Sequence, residues 1–170
     1  MERIICLVIG YLFGNIFQTG YWYGKFNHID IREYGSGNAG TTNVMRTLGK
    51  KAGIITYLLD TFKAVFAALA VHFLFGRNSD IEMLLFLYSG FGVVLGHNFP
   101  VYLKFKGGKG IAVMAALAVS NCFWHLPYSV LMFFITLVFF AVPVVVTRYI
   151  SLGSLLAYAA FFIEMVVFGQ

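Results

Sequence analysis

The sequence predicts an all-α polytopic membrane protein with about six transmembrane helices. Of its 170 residues, 60% are hydrophobic and only 11% are charged. The apolar residues form long runs that are separated by short polar stretches. A hydrocarbon core of ~30 Å takes ~20 helical residues to cross, and it requires each span to satisfy its own backbone hydrogen bonds. Apolar runs of this kind are typical of transmembrane helices and not of a soluble core.

Six apolar segments are the predicted helices, and together they form one expected integral-membrane domain over residues 1–170. They are Ile4–Tyr23, Ala52–Phe75, Ile81–Leu95, Ile111–Cys122, Tyr128–Val146 and Leu152–Phe168. The third and fourth are too short to cross a bilayer, so we expect them to reach part-way and to end in a polar cavity. The first has no small-residue cleavage site, which indicates a spanning helix and not a signal peptide.

The basic residues predict the orientation. Nine of the 12 Lys and Arg residues fall in alternate loops: Lys25, Arg32, Arg46, Lys50, Lys51, Lys104, Lys106, Lys109 and Arg148. The positive-inside rule makes these loops cytoplasmic and the N-terminus external, with short external loops at Gly76–Asp80 and Phe123–Pro127. The net charge of +5 does not indicate a nucleic-acid partner, because the basic residues sit in separate short loops and not on one face.

The stretch GHNFPVYLKFKGGKG (Gly96–Gly110), here called the second loop, carries three lysines and three closely spaced glycines near its end. Glycines leave backbone N–H groups without side-chain cover, and the helix predicted from Ile111 would direct its N-terminus at the same place. The pattern predicts a phosphate cradle at the membrane surface. The alternative is a basic loop that only sets topology. A nucleotide-binding P-loop is excluded, since Gly110 follows Lys109 where Ser or Thr is required.

The stretch from Asp30 to Gly53, here called the first loop, combines glycines, short hydroxyl and amide side chains and Arg46. Such a set suits a phosphate dianion, which needs several donors and a planar guanidinium. The alternative is a turn rich in helix-capping residues. Gly35-x-Gly37-x-x-Gly40 also matches a dinucleotide fingerprint, but no βαβ unit surrounds it. We therefore expect no nucleotide cofactor, and we find no residues spaced as a metal site.

Other polar groups interrupt the apolar segments. Asp60 and Lys63 are spaced to pair on one helix face, either supporting the cytoplasmic loops or only tolerating burial. Glu164 is expected near the external end in solvent. Ser151 either caps the last helix or joins Ser154 in donating to a phosphate. His97 is more typical of a hydrogen-bonded structural group than of a base.

Three stretches together resemble the membrane-integral bacterial acyl-phosphate:glycerol-3-phosphate acyltransferases. They are GSGNAGTTNVMR (Gly35–Arg46), GHNFPVYLKFKGGKG (Gly96–Gly110) and TRYISLGS (Thr147–Ser154), in family order, and Asp60-x-x-Lys63 also falls at the family's position. The resemblance covers nearly the whole chain. It implies transfer of an acyl group from acyl phosphate to the sn-1 hydroxyl of glycerol 3-phosphate, giving lysophosphatidic acid and phosphate, in a bacterial inner membrane. The implied partners are these two substrates and membrane lipids.

The resemblance also implies roles for individual residues. The catalytic cations would be Arg46, Lys106 and Lys109. One phosphate region would comprise Ser36, Gly37, Asn38, Gly40, Thr42 and Asn43. The facing region would comprise Lys104, Gly107, Gly108 and Gly110, with Ser151 and Ser154 beside it. Supporting residues would be Asp60, Lys63, His97 and Arg148. Acyl phosphate is already activated, so the site needs two anion pockets and correct orientation but no covalent nucleophile.

Two departures from the family pattern stand out. After Gly14 the chain has Asn15-Ile16-Phe17 where the family usually has Ser-Ile-Pro. The family also usually has a seventh span and a cytoplasmic tail, which we expect this chain to lack. The alternative function is a transporter or channel for a phosphorylated solute. Such proteins show internal repeats and broken helices, and the sequence predicts neither.

Overall fold

A computed structural model describes residues 1–75, 81–124 and 128–168, and these are helical with short connecting turns and without β-strands. The α-helices are α1 Glu2–Ile16, α2 Thr19–Phe26, α3 Thr41–Leu48, α4 Lys50–Phe75, α5 Glu82–Asn98, α6 Ile111–Trp124, α7 Tyr128–Thr147 and α8 Ile150–Phe168. The chain forms two compact units, Met1–Ala116 and Leu117–Gln170. The predicted all-α class is confirmed.

Four described helical stretches are long and apolar enough to cross a membrane: Glu2–Phe26, Lys50–Phe75, Glu82–Leu103 and Val130–Thr147. The helix over Ile150–Glu164 is apolar but shorter. The count of six spans and the N-out orientation therefore stay predictions. The predicted external loop Gly76–Asp80 lies outside the described residues, and so do positions 125–127 of the other one.

The first apolar segment is not one continuous helix, which corrects the sequence prediction. Phe17 (φ −91°, ψ 75°) and Gln18 (φ −93°, ψ 74°) leave the helical conformation between α1 and α2. The Phe17 carbonyl accepts a hydrogen bond from Lys63 Nζ at 2.8 Å. Gln18 Nε2 contacts the carbonyls of Gly14, Gly96 and His97 at 3.0–3.2 Å. The side chains of Lys63 and Gln18 thus satisfy the Phe17 and Gly14 carbonyls at the break.

Helices α1 and α5 pack closely enough to exclude side chains at four positions. A Cβ at Gly10 or Gly14 would overlap backbone of α5, and one at Gly92 or Gly96 would overlap backbone of α1. Small residues are the usual means by which transmembrane helices approach closely. Helix α5 continues to Asn98, three residues beyond the predicted end at Leu95, and the stretch Glu82–Leu103 is long and apolar enough to cross a membrane, so whether this segment reaches only part-way stays a prediction.

In the second unit, Glu164 is buried and accepts a hydrogen bond from Thr136 Oγ1 at 2.9 Å. This corrects the expectation that Glu164 lies in solvent. Helix α8 begins at Ile150, so Ser151 lies within the helix and does not cap it. The Tyr149 N–H instead donates to Thr147 Oγ1 at 3.2 Å, and the Ser154 hydroxyl donates to the Ile150 carbonyl at 2.7 Å.

Candidate active site

The first loop is shaped by Asn43, which lies in α3 and is buried. Its Oδ1 accepts from the Ser36 N–H at 2.8 Å, and its Nδ2 donates to the carbonyls of Ile31 and Tyr34 at 3.0 and 2.9 Å. Asn43 was predicted to contact a phosphate, but both of its amide hydrogens are bound to the loop backbone. It therefore holds the turn at Gly35, whose φ of 58° suits glycine.

The N-terminus of α3 is the part of this loop that offers donors. Gly40 precedes the helix, and no side chain caps it. The Asn43 N–H donates to the Gly40 carbonyl at 3.1 Å, while the N–H groups of Thr41 and Thr42 have no acceptor among the described residues and are available to an anion. Thr42 and Arg46 are four residues apart and share one helix face, and the Arg46 side chain is exposed. The sequence had placed both residues in a loop, and the helix is what aligns them.

The second loop presents fewer free N–H groups than the glycine pattern predicted. The Gly107 N–H donates to the Asn98 carbonyl at 3.1 Å, and the Gly108 N–H donates to the His97 carbonyl at 3.0 Å. These glycines allow close packing, because a Cβ at Gly107 would overlap the His97 carbonyl and one at Gly108 would overlap the His97 ring. The N–H groups of Lys109 and Gly110 have no acceptor among the described residues.

The cations of the second loop are held at its surface. Lys104 and Phe105 adopt the left-handed conformation (φ 54° and 60°), which is uncommon for residues other than glycine and turns the chain sharply before Lys106. The side chains of Lys104, Lys106 and Lys109 are exposed. In the described ranges none of them forms a salt bridge, so all three charges are available to an anion.

Arg32 joins the two loops, a role that the sequence did not reveal. Its Nη1 donates to the Leu103 carbonyl at 3.1 Å, while its Nη2 lies 2.7 Å from Asp30 Oδ2. The Arg32 guanidinium lowers the pKa of Asp30 from 3.8 to about 2. Because the pKa of Asp30 is lower in the folded protein than its ordinary value of 3.8, the pairing contributes its full stability above pH 3.8. The contribution is lost as the pH falls through about 2. The only local sequence signal was the Asp30-x-Arg32 spacing.

A buried polar cluster lies beneath the second loop. Lys63 Nζ is 2.8 Å from Asp60 Oδ1, as the spacing of the two residues predicted. The same Nζ contacts the Phe17 carbonyl and His97 Nδ1. His97 lies in the last turn of α5 and its carbonyl accepts from Gly108. The Asp60–Lys63 pair thus contacts the histidine whose carbonyl accepts from the loop, and its supporting role stays a prediction.

Helices long enough to cross a bilayer, together with two joined loops that carry exposed cations and helix N-termini, are the features of an integral membrane protein with a candidate anion site. The family profile described as glycerol-3-phosphate acyltransferase matches residues 4–170. The chain belongs to this glycerol-3-phosphate acyltransferase family, and the predicted family and enzyme class are confirmed.

Relatives and solved structures agree with this membership. A glycerol-3-phosphate acyltransferase from a Thermoanaerobacter species is 38% identical over 169 residues, which cover 99% of this chain and 78% of the relative. One from Clostridioides difficile is 46% identical over 155 residues, which cover 89% of this chain and 71% of the relative. Among solved structures, the chain is similar to the crystal structure of PlsY (YgiH), an integral membrane glycerol 3-phosphate acyltransferase, in its glycerol 3-phosphate form. The TM-score is 0.80 at 32% identity, and the match covers 99% of this chain and 78% of that one. Its lysophosphatidic acid form has a TM-score of 0.73 at 34% identity, covering the same shares.

Proposed function

We propose that this chain transfers the acyl group of an acyl phosphate to the sn-1 hydroxyl of glycerol 3-phosphate at the cytoplasmic face of a bacterial inner membrane. One observation carries the proposal beyond family membership. The Arg32–Leu103 hydrogen bond joins two loops that each combine exposed, unpaired cations with the start of a helix. Two phosphate-bearing substrates need two such regions side by side.

The reaction requires little covalent chemistry from the protein. The substrate hydroxyl attacks the carbonyl carbon of the mixed anhydride, and the C–O bond to phosphate breaks with its electron pair on the leaving phosphate. The hydroxyl proton passes to a phosphate oxygen of a substrate. Arg46, Lys106 and Lys109 hold the two phosphates and stabilise the negative charge that develops on the carbonyl oxygen and the leaving group. Ser151, Ser154 and Arg148 remain predicted contributors.

The test uses the full chain purified in detergent, with a long-chain acyl phosphate and radiolabelled glycerol 3-phosphate. We expect phosphate release that depends on glycerol 3-phosphate and equals the lysophosphatidic acid formed. Acyl transfer from acyl-CoA or acyl carrier protein, but not from acyl phosphate, would contradict the proposed donor.

The transporter alternative gains one feature from the structure, the break between α1 and α2. Substrate-binding breaks leave backbone groups facing a cavity. Here the Phe17 carbonyl is bound by Lys63, and the Gln18 amide donates back to the neighbouring helix ends. Uptake of glycerol 3-phosphate into liposomes without phosphate release would nevertheless favour the alternative.

Gly108→Ala should raise the KM for glycerol 3-phosphate or for acyl phosphate by about tenfold or more, since weakening one charge-assisted contact costs about this much. The added Cβ would overlap the ring of buried His97, so the loop must shift away from α5. Steady-state kinetics and thermal unfolding in detergent measure the effect. Gly24→Ala is the control, because its Cβ would meet its nearest neighbours at 3.2 Å. An unchanged KM in a folded Gly108→Ala protein would contradict the role of the loop.

Single cysteines test the predicted orientation, after both native cysteines are replaced. Cysteine at the exposed position Ser36 should be shielded from an impermeant thiol reagent in intact cells, and cysteine at the exposed position Arg3 should react. Both should react after the cells are lysed. The reverse pattern in intact cells would place the motif loops outside and overturn the cytoplasmic assignment.

A further inference from the structure

His97 is a buried histidine directly below the second loop, with an exposed fraction of 3%. Its two ring nitrogens face different surroundings. Nδ1 points into the polar cluster, 3.9 Å from Asp60 Oδ1 and in contact with Lys63 Nζ. Nε2 faces Gly108, because a Cβ built on that glycine would overlap Nε2 first, then Cε1 and Cδ2 of the ring.

The polar cluster determines which nitrogen carries the proton. A Lys63 ammonium has three N–H donors, and it has three neighbours: Asp60 Oδ1, the Phe17 carbonyl and His97 Nδ1. Each N–H is used once if Nδ1 is an acceptor. A neutral imidazole whose Nδ1 accepts carries its proton on Nε2.

The resulting Nε2–H donor has no protein acceptor in the described part of the chain. An anion that accepts from this donor would gain a charge-assisted hydrogen bond. The donor lies against Gly108, next to the uncovered N–H groups of Lys109 and Gly110. An anion seated on those N–H groups would also lie near Nε2.

We propose that the His97 Nε2–H group donates a hydrogen bond to the phosphate of the substrate held by the second loop, with Asp60 and Lys63 as the positioning residues that fix this tautomer. The proposal rests on the proposed function for the identity of the anion. It assigns His97 a substrate contact in place of a purely structural role. It also explains why a buried ion pair lies beneath a surface loop.

Two substitutions separate the roles of the two nitrogens. In His97→Asn, Oδ1 takes the place of Nδ1 and can still accept from Lys63, but the distal donor is lost. In His97→Gln, Nε2 takes the place of the imidazole Nε2 and keeps the distal donor, while the proximal acceptor is lost. We expect His97→Asn to raise the KM for glycerol 3-phosphate or for acyl phosphate by about tenfold or more. His97→Gln should stay within about threefold of the wild type in KM and unfold at a lower temperature.

Equal increases in KM in both variants, or none in His97→Asn, would overturn the proposal. NMR of ¹⁵N-histidine-labelled wild-type protein decides the question even where a variant does not fold. The proposal expects an unprotonated Nδ1, a protonated Nε2, and a shift of the Nε2 resonance when glycerol 3-phosphate or a long-chain acyl phosphate is added. A protonated Nδ1, or no shift at saturating concentrations of either substrate, would contradict it.

The outcome can be told apart from a failure of the proposed function. If the wild-type protein transfers acyl groups but its Nε2 resonance shifts with neither glycerol 3-phosphate nor acyl phosphate, the inference about His97 is wrong and the function stands. If the Nε2 resonance responds to inorganic phosphate while no acyl transfer occurs from acyl phosphate, the anion contact stands and the function is wrong.

Discussion

Arg46→Ala should lower kcat/KM for acyl transfer by at least about 30-fold, as expected when one member of a charge-assisted contact to a phosphate is removed. Arg46 is exposed on the same face of α3 as Thr42, and no residue in the described ranges forms a salt bridge with it. Its charge is therefore not used by an ion pair of the described fold, and we propose that it binds the phosphate of a substrate. Lys109→Ala should have a similar effect, since Lys109 lies beside the uncovered N–H groups that precede α6.

The control for both variants is Lys51→Ala, which removes an equal charge from an exposed position at the start of α4. It should keep kcat/KM within about threefold of the wild type, as expected for a screened surface charge. All three proteins should unfold at nearly the wild-type temperature in detergent. Wild-type turnover by folded Arg46→Ala and Lys109→Ala proteins would contradict the two-region site.

Lys63→Met should destabilise the folded protein by about 3–5 kcal/mol, because it leaves the buried carboxylate of Asp60 without its counter-charge. Both side chains of the pair are almost fully buried, with exposed fractions of 1% and 2%. The variant also loses the donor that holds the Phe17 carbonyl at the helix break. Thermal unfolding in detergent and the yield of folded protein measure the loss.

The double variant Asp60→Leu/Lys63→Met should recover part of that stability, since replacing both charges with apolar groups avoids the unpaired carboxylate. Lys50→Met is the surface control, because Lys50 is exposed at the start of the same helix, and it should leave the unfolding temperature unchanged. A Lys63→Met protein as stable as the wild type would show that the pair does not stabilise the fold. A double variant less stable than the single one would show that the unpaired carboxylate is not the cause of the loss.

The sequence by itself determined the features that depend on neighbours in the chain. Because a bilayer obliges each span to satisfy its own backbone, apolar length was enough to predict α4, α7 and α8 to within two residues at each end. The Asp60–Lys63 pair followed from helical spacing alone. The three motif stretches were enough to identify the family.

Only the tertiary structure decided the features whose partners are distant in the chain. The break at Phe17 and Gln18 depends on Lys63, 46 residues away, and on Gly96, 78 residues away. The N–H groups of Gly107 and Gly108 looked free because their acceptors lie on α5, and Arg32 reaches Leu103 across 71 positions. His97 gains its place under the second loop in the same way, through α4 and Gly108. Local sequence patterns do not predict such contacts, since each contact depends on how separate helices pack and on which buried groups then need partners.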